Sequence, residues 1–113
     1  MKMNQESAAN IQENLRHGIA STKLGTATMV GLANNRQYLL AAEVAASLCA
    51  LYASMHHLLD DRTRGNNLVF HATDNTIERL MLKERANCLE FLRLEDEENE
   101  TRPEAPSHPP LFD

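Results

Sequence analysis

Tryptophan is absent from this chain of 113 residues, and aromatic residues make up only 4% of it. Valine and isoleucine, which favour strands, are also scarce, whereas alanine and leucine, which are strong helix formers, are common. The core must therefore be aliphatic. A chain of this length forms one domain with a modest core, so the composition predicts a single all-α domain.

Cysteine is nearly absent too, with only Cys49 and Cys88, which form neither a CxxC pair nor a zinc-binding spacing. We interpret both as free thiols that pack as small apolar residues; an inter-helix disulfide is the alternative in an oxidising compartment. The stretch Met1 to Asn10 has no apolar run resembling a signal peptide. These features predict a cytoplasmic protein.

A cluster of basic residues is missing, although the net charge of −5 is unevenly placed. Residues 95–113 carry seven acidic side chains against Arg102, and the rest of the chain is close to neutral. Non-specific nucleic-acid binding needs concentrated Lys and Arg, so direct nucleic-acid binding is not expected. A small helical DNA-binding regulator is the alternative, with Gly25 to Leu40 as a helix-turn-helix, but its second helix offers only Arg36 for reading bases.

Signatures of catalysis are also missing: no nucleophile elbow and no phosphate-binding glycine loop occurs, so we expect no enzyme and no cofactor. A metal-binding helical bundle is a second alternative. Carboxylate-bridged bundles need Glu-x-x-His pairs, which this chain lacks. A composite site of His56 or His57 with His71 and Cys88 has no metal-site spacing, and no metal is expected.

The first half of the chain predicts a long helical hairpin. From residue 5 to 33, apolar or small residues recur in steps of three and four: Ile11, Leu15, Gly18, Thr22, Gly25, Met29 and Leu32. This segment is either one helix, whose glycines let a neighbour approach closely, or two helices broken within Gly18–Gly25. We favour one helix, because Gly18 and Gly25 are seven residues apart and both lie on the stripe.

After a turn at Asn34-Asn35, residues 36–60 predict the central helix. Its polar seam is narrow (Arg36, Glu43, Ser47, Ser54), which predicts burial on most of its circumference. The small residues Ala42, Ala46, Cys49 and Ala53 form one edge, suited with Gly18 and Gly25 to close helix packing or oligomerisation. The segment is long enough to cross a bilayer, but Glu43, the serines and the His56-His57 pair favour a soluble core, so no membrane association is expected.

A third helix is predicted over residues 74–94, following a loop at 60–67 and a short apolar patch, Leu68-Val69-Phe70, which is either extended or a staple to the core. Asn75 and Glu78 have capping-box spacing. Glu84 lies near the middle of the apolar stripe of this helix. We expect it to meet an arginine or a gap between helices, because buried charges are usually paired.

The final segment, residues 95–113, is acidic and contains four prolines, which predicts a disordered tail. It ends Pro109-Pro110-Leu111-Phe112-Asp113. This tip resembles the acidic, Pro-Phe-ending tails of bacterial single-stranded-DNA-binding proteins, and also the Leu-Phe core of sliding-clamp ligands. It departs from both, because Asp113 follows the Phe and the leading Gln of the clamp motif is missing. The resemblance implies that the tip, Pro109 to Phe112, binds a protein of nucleic-acid metabolism; otherwise the tail serves only solubility.

Together these patterns predict a helical domain over residues 1–94 and a tail over 95–113. Three helices, one of them nearly all apolar, leave surface uncovered, so a homodimer is expected to complete the bundle. The predicted function is a non-enzymatic protein-binding adaptor or modulator.

Overall fold

The computed structural model describes residues 5–101, with side chains from residue 9 onward. Within that range all regular secondary structure is helical, and there is no strand. The elements, in order, are α1 (Gln5–Asn34), α2 (Tyr38–Leu58), α3 (Asp61–Arg64) and α4 (Leu68–Thr101). The prediction of an all-α fold built on a long helical hairpin is confirmed.

Helix α1 is continuous, which settles the choice between one helix and two. Its predicted stripe is the face turned inward: Leu15, Thr22 and Met29 are buried, and the stripe residues Gly18 and Gly25 between them are half-buried. The stripe repeats every seven residues, with Leu15, Thr22 and Met29 alternating with Gly18, Gly25 and Leu32. This heptad spacing keeps one seam against a neighbouring helix along the whole length of α1.

The first hairpin is antiparallel, and the glycines of α1 lie where α2 comes closest. A Cβ added to Gly25 would lie 2.7 Å from Leu48 Cδ2, and one added to Gly18 would lie 2.5 Å from Met55 Sδ. A side chain at either position would therefore meet a side chain of α2. The two helices of a helix-turn-helix cross at about 90–120°; α1 and α2 instead run side by side through these contacts.

The turn between α1 and α2 differs from the prediction in one respect. Arg36, expected on the polar seam of the central helix, precedes α2 and has a left-handed backbone with φ of 59°. Asn35 and Arg36 form the turn, and the Gln37 N–H donates to the Leu32 carbonyl at 2.9 Å. The Arg36 side chain reaches Glu98 on α4 at 3.6 Å.

Helix α2 lies between α1 and α4 and packs against both, more extensively against α4. Its inward face consists of Ala41, Ala42, Ala45, Leu48, Tyr52 and Met55. The opposite face is exposed and includes Leu39, Ala46 and Ala50. The prediction that α2 is buried on most of its circumference is therefore wrong for a single chain.

The loop predicted at 60–67 contains a one-turn helix, α3. Asp60 begins it by accepting the Thr63 N–H at 2.8 Å, and this hydrogen bond lowers the pKa of the Asp60 carboxyl. Gly65 ends it with φ of 45°, a conformation that glycine adopts without steric cost.

Helix α4 begins earlier than predicted. The start at residue 74 is wrong, because Leu68-Val69-Phe70 forms its first turn and Asp74 and Asn75 lie in its interior. The Asn67 side chain accepts the Phe70 N–H at 3.1 Å and satisfies one of the free donors at this end. This earlier start buries Phe70 in the core beside Leu59.

Helix α4 also ends later than predicted. The predicted end of this helix at residue 94 is wrong, because residues 95–101 continue the helix to Thr101. Arg93 donates to Glu90 at 2.6 Å and to Glu97 at 2.7 Å, so a cation one turn away offsets part of the acidic charge. These hydrogen bonds lower the pKa of Glu90 and raise that of Arg93. The rest of the predicted tail, 102–113, lies outside the described residues.

Candidate functional site

An apolar groove runs between α1 and α4. Both helices pack on α2, but they have few contacts with each other, which leaves the fourth position of a bundle open. Two cavities, of about 240 and 380 Å³, share Ile19 and Thr73 and so join into one groove. Its lining comes from all three long helices: Gln12, Leu15, Arg16, Ile19, Thr22, Tyr52, Met55, Val69, Phe70, Ala72, Thr73, Thr76, Ile77 and Leu80.

Two of the hydroxyl groups that line this α1–α4 groove, those of Thr22 and Thr76, donate within their own helices. Thr22 Oγ1 donates to the Ile19 carbonyl at 2.7 Å, and Thr76 Oγ1 donates to the Ala72 carbonyl at 3.1 Å. A hydroxyl that already has a partner loses less on leaving water than an unpaired one. The groove therefore behaves as a largely apolar surface.

The edges of the groove carry positive charge. On α1, Arg16 and Lys23 lie one turn before and one turn after Ile19, on the same side of the helix. On α4, Lys83 follows Thr76 by two turns and is exposed. Arg16 pairs with Glu13 at 3.0 Å, but both side chains are solvent-exposed and such pairs are weak. A ligand with acidic flanks would meet favourable charge here.

A second apolar surface lies on the other side of α2. The floor of the groove includes Tyr52 and Met55, whereas the exposed side of α2 carries Leu39, Ala46 and Ala50. The adjoining edge of α4 carries large exposed hydrophobic residues at helical spacing, at positions 82, 89 and 92. We call this surface the α2/α4 face; it consists of Leu39, Glu43, Ala46, Ala50, Leu82, Arg85, Leu89 and Leu92.

A polar cluster joins α2, α3 and α4 at one end of the molecule. Asp74 is buried and accepts hydrogen bonds from His56 Nδ1 at 2.6 Å and from Arg64 Nη1 at 3.1 Å. Arg64 also donates to the Leu59 carbonyl and to Asp61. The cluster ties the short α3 segment to the long helices.

Three histidines open onto this cluster. His56, His57 and His71 line one polar cavity of about 440 Å³, whereas Cys88 does not, so the structure does not assemble the composite site considered from the sequence. His71 Nε2 lies 2.8 Å from the Gly65 carbonyl. Among residues 5–101, no group of three His, Cys, Asp or Glu side chains has the arrangement of a metal site.

Glu84 is a second buried acid of α4, after Asp74, and its partner is an asparagine rather than the arginine that was one of the two expectations. Only 5% of the residue is exposed. Asn87 Nδ2 donates to Oε1 at 2.7 Å, while Oε2 is buried without a hydrogen-bond partner. An unpaired buried oxygen of this kind costs free energy.

The small-residue edge predicted on α2 divides between two environments. Ala42 is buried, Cys49 and Ala53 are half-buried, and Ala46 is exposed on the α2/α4 face. Both thiols are free within the described residues. The partner-binding tip Pro109, Pro110, Leu111 and Phe112 lies outside them.

Sequence reasoning missed the α1–α4 groove. Ile19, Val69 and Thr76 carry no motif, and their proximity depends on the distance between two helices that a third helix holds apart. The sequence contains one indication of the groove: Ile19 and Val69 are apolar, although they lie beside the core stripes of their helices rather than on them.

Comparisons with known protein families, with curated proteins and with solved structures find no match. Of the helices in residues 5–101, α2 is long and apolar enough to cross a bilayer by length and composition alone, a test that core helices of soluble proteins also pass. Only 33% of the most apolar window of α2 is buried within the chain.

Proposed function

We propose that this chain is a non-enzymatic protein-binding module that holds an amphipathic helix of a partner protein in the α1–α4 groove. The observation that carries the proposal is the open position between α1 and α4, lined by apolar side chains of three helices. An amphipathic helix that lays its apolar face into such a groove is a common mode of peptide recognition.

The chemistry of the groove specifies the partner further. Ile19 is 41% exposed and Val69 is 64% exposed, so both have apolar surface to bury against a ligand. Lys23 and Lys83 stand on opposite edges and would attract carboxylates beside the apolar face. The proposed partner segment is therefore an amphipathic helix with Asp or Glu flanking its apolar stripe.

Two variants of α1 test the proposal because they introduce the same charge on the same helix. Ile19→Glu places a carboxylate in the groove, whereas Leu24→Glu places it on the opposite side of α1, where Leu24 is 72% exposed. Proteins captured by the wild-type chain from native host extract would be purified and their binding measured by calorimetry. We expect Ile19→Glu to weaken binding at least about tenfold and Leu24→Glu to leave it unchanged.

The result against the proposal is equal binding by both variants and the wild type. Salt provides a second measurement: the variant with Lys23→Ala and Lys83→Ala should bind the same partner more weakly at low salt and lose part of the salt dependence.

The tail is a separate part of the proposal, supported by the resemblance of its tip to docking peptides. A chain ending at Thr101 lacks Leu111 and Phe112 and keeps every residue of the groove. Loss of binding on this truncation, with Ile19→Glu still binding, would assign recognition to the tail and to a partner in nucleic-acid metabolism. Retained binding would assign it to the helices.

A further inference from the structure

The exposed side of α2 carries far fewer charged residues than the exposed sides of α1 and α4. Over Tyr38–Leu58 the one Asp, Glu, Lys or Arg is Glu43, yet only 33% of the most apolar window of this helix is buried within the chain. Leu39 is 53% exposed, and on the adjoining edge of α4 Leu82 and Leu89 are 54% and 61% exposed. Large contiguous apolar patches on soluble proteins usually mark a surface that something covers.

The serines on the exposed side of α2 could be buried at low cost, because their hydroxyl groups already have hydrogen-bond partners within the helix. Ser47 Oγ donates to the Glu43 carbonyl at 3.0 Å, and Ser54 Oγ donates to the Ala50 carbonyl at 3.2 Å. Each hydroxyl is small and has its partner within the helix, so it needs no water molecule and little partner chemistry. The polar seam read from the sequence therefore does not oppose an interface.

The side chains of the α2/α4 face differ in size between its two helices. Ala46 and Ala50 of α2 are small and exposed, whereas Leu82 and Leu89 of α4 are large and exposed. In a two-fold arrangement the same patch serves both partners, so the leucines of each copy can pack on the alanines of the other. Small residues opposite large ones give the interdigitated packing of helix interfaces.

The charges of the face match the same arrangement. Glu43 and Arg85 are both exposed, carry opposite charges, and form no ion pair with any group in residues 9–101. A two-fold axis between the helices would set Glu43 of one copy against Arg85 of the other, twice. The face thus carries both the negative and the positive group of the proposed ion pair.

The size of the face fits a weak, reversible assembly. From Leu39 to Ala50 α2 extends about 17 Å, and two adjacent helices are about 20 Å wide, which gives roughly 340 Å² on each copy. Two such faces bury roughly 700 Å², which lies in the range of weak, transient interfaces.

We propose that two copies of the chain associate through their α2/α4 faces, with Leu82 and Leu89 of each packed on Ala46 and Ala50 of the other. Because Tyr52 and Met55 turn to the opposite side of α2, the dimer leaves both α1–α4 grooves open. It presents two equivalent binding sites, and a partner with two binding segments would gain avidity from it.

The test measures the mass of the full chain by sedimentation equilibrium from about 1 to 100 µM, a range that covers a micromolar dimer. The wild type is expected to be a dimer in the upper part of this range. Leu89→Lys should weaken association at least about tenfold, and Leu24→Lys, on the far side of α1, should not. Circular dichroism of both variants serves as the control, and both should keep the helical content of the wild type.

Charge reversal tests the pairing itself. Glu43→Arg and Arg85→Glu should each weaken the dimer, and the double variant should restore it, because only the double variant regains opposite charges across the axis. A wild type that is monomeric over the whole range overturns the proposal, as does a dimer that Leu89→Lys leaves intact. Binding of the monomeric chain to phosphatidylcholine–phosphatidylglycerol vesicles would assign the face to a membrane surface instead.

Discussion

Leu48 Cδ2 lies 2.7 Å from the point that a Cβ on Gly25 would occupy. Leu48 is buried at the centre of α2, and Gly25 belongs to the inward stripe of α1. The glycine lets the two helices approach until the leucine fills the space that a side chain would need. The same relationship recurs two turns away between Gly18 and Met55.

Glycine-to-alanine substitution should therefore have opposite effects at two positions of α1. Gly25→Ala must displace Leu48 in a packed core, and we expect it to lower the free energy of unfolding by about 1 kcal/mol, since overpacking exceeds the gain in helix propensity. A Cβ added to Gly31 would have no atom within 4 Å, so Gly31→Ala should raise the free energy of unfolding by about 1 kcal/mol. Urea denaturation followed by circular dichroism measures both; equal effects would contradict the close-packing account.

Asp74 holds the polar cluster together, and its removal should be costly. Its side chain is 7% exposed, and Asp74→Ala leaves the largely buried Arg64 without this carboxylate. Breaking such a pair should lower the free energy of unfolding by about 3 kcal/mol. Asp61→Ala removes the other carboxylate of Arg64, which is 96% exposed, and should change stability little. Thermal denaturation compares the two variants, and similar melting temperatures would count against a central role for Asp74.

Glu84 should be replaceable with a gain in stability. Glu84→Met removes the oxygen that has no partner and keeps an unbranched side chain of similar length. We expect the free energy of unfolding to rise by about 2 kcal/mol. Glu78→Met, at an exposed position on the same helix, is the control and should have little effect. Destabilisation by Glu84→Met in a denaturant titration would show that the carboxylate has a stabilising partner.

Arg36 occupies the left-handed region, where side chains other than Gly, Asn and Asp are disfavoured. Arg36→Gly should raise the free energy of unfolding by up to about 1 kcal/mol, because relief of the backbone cost exceeds the entropy that glycine adds to the unfolded chain. Arg36→Ala removes the same ion pair with Glu98 and keeps the backbone cost. If Arg36→Ala raised the free energy of unfolding as much as Arg36→Gly in the same denaturation assay, the gain would come from loss of the arginine side chain and not from the backbone.

Asp60 gives α3 a pH dependence. The Thr63 N–H favours the charged carboxylate, so its pKa in the folded chain lies below the usual value of about 3.9. The stabilisation of the folded chain by the Asp60 carboxylate is thus fully present above about pH 4. It is lost as the pH falls through the lowered pKa of this group. Carbon NMR of the Asp60 carboxyl measures the midpoint. Asp60→Asn should retain α3 and remove this titration, and a midpoint at or above the usual value would refute the cap.

Local patterns were enough to predict the hairpin. A stripe with a spacing of three and four residues defines one face of a helix wherever the helix lies, so Leu15, Thr22 and Met29 could be assigned inward without a partner. Gly18 and Gly25 could be assigned to a close contact for the same reason, because both kept the register of that stripe.

Helix ends were predicted less well, because several capping signals compete within a few residues. Asn75 and Glu78 have the spacing of a cap, yet Asn67 provides the cap of α4 and Asp74 bonds to α2 and α3 instead. The choice depends on Phe70, whose burial beside Leu59 is available only if the helix starts early. Similarly, Arg93 supplies positive charge within the acidic end of α4, and α4 continues past Leu94.

The sequence by itself determined the all-α class, the continuous first helix and the inward face of that helix, because these follow from propensity and from the 3.6-residue period. Only the tertiary structure decided which apolar residues remain uncovered. The α1–α4 groove and the α2/α4 face exist because α2 separates its two neighbours and offers them one side. That arrangement is set by interhelical distances, which depend on the packing of small and large side chains across three helices, and no single segment encodes them.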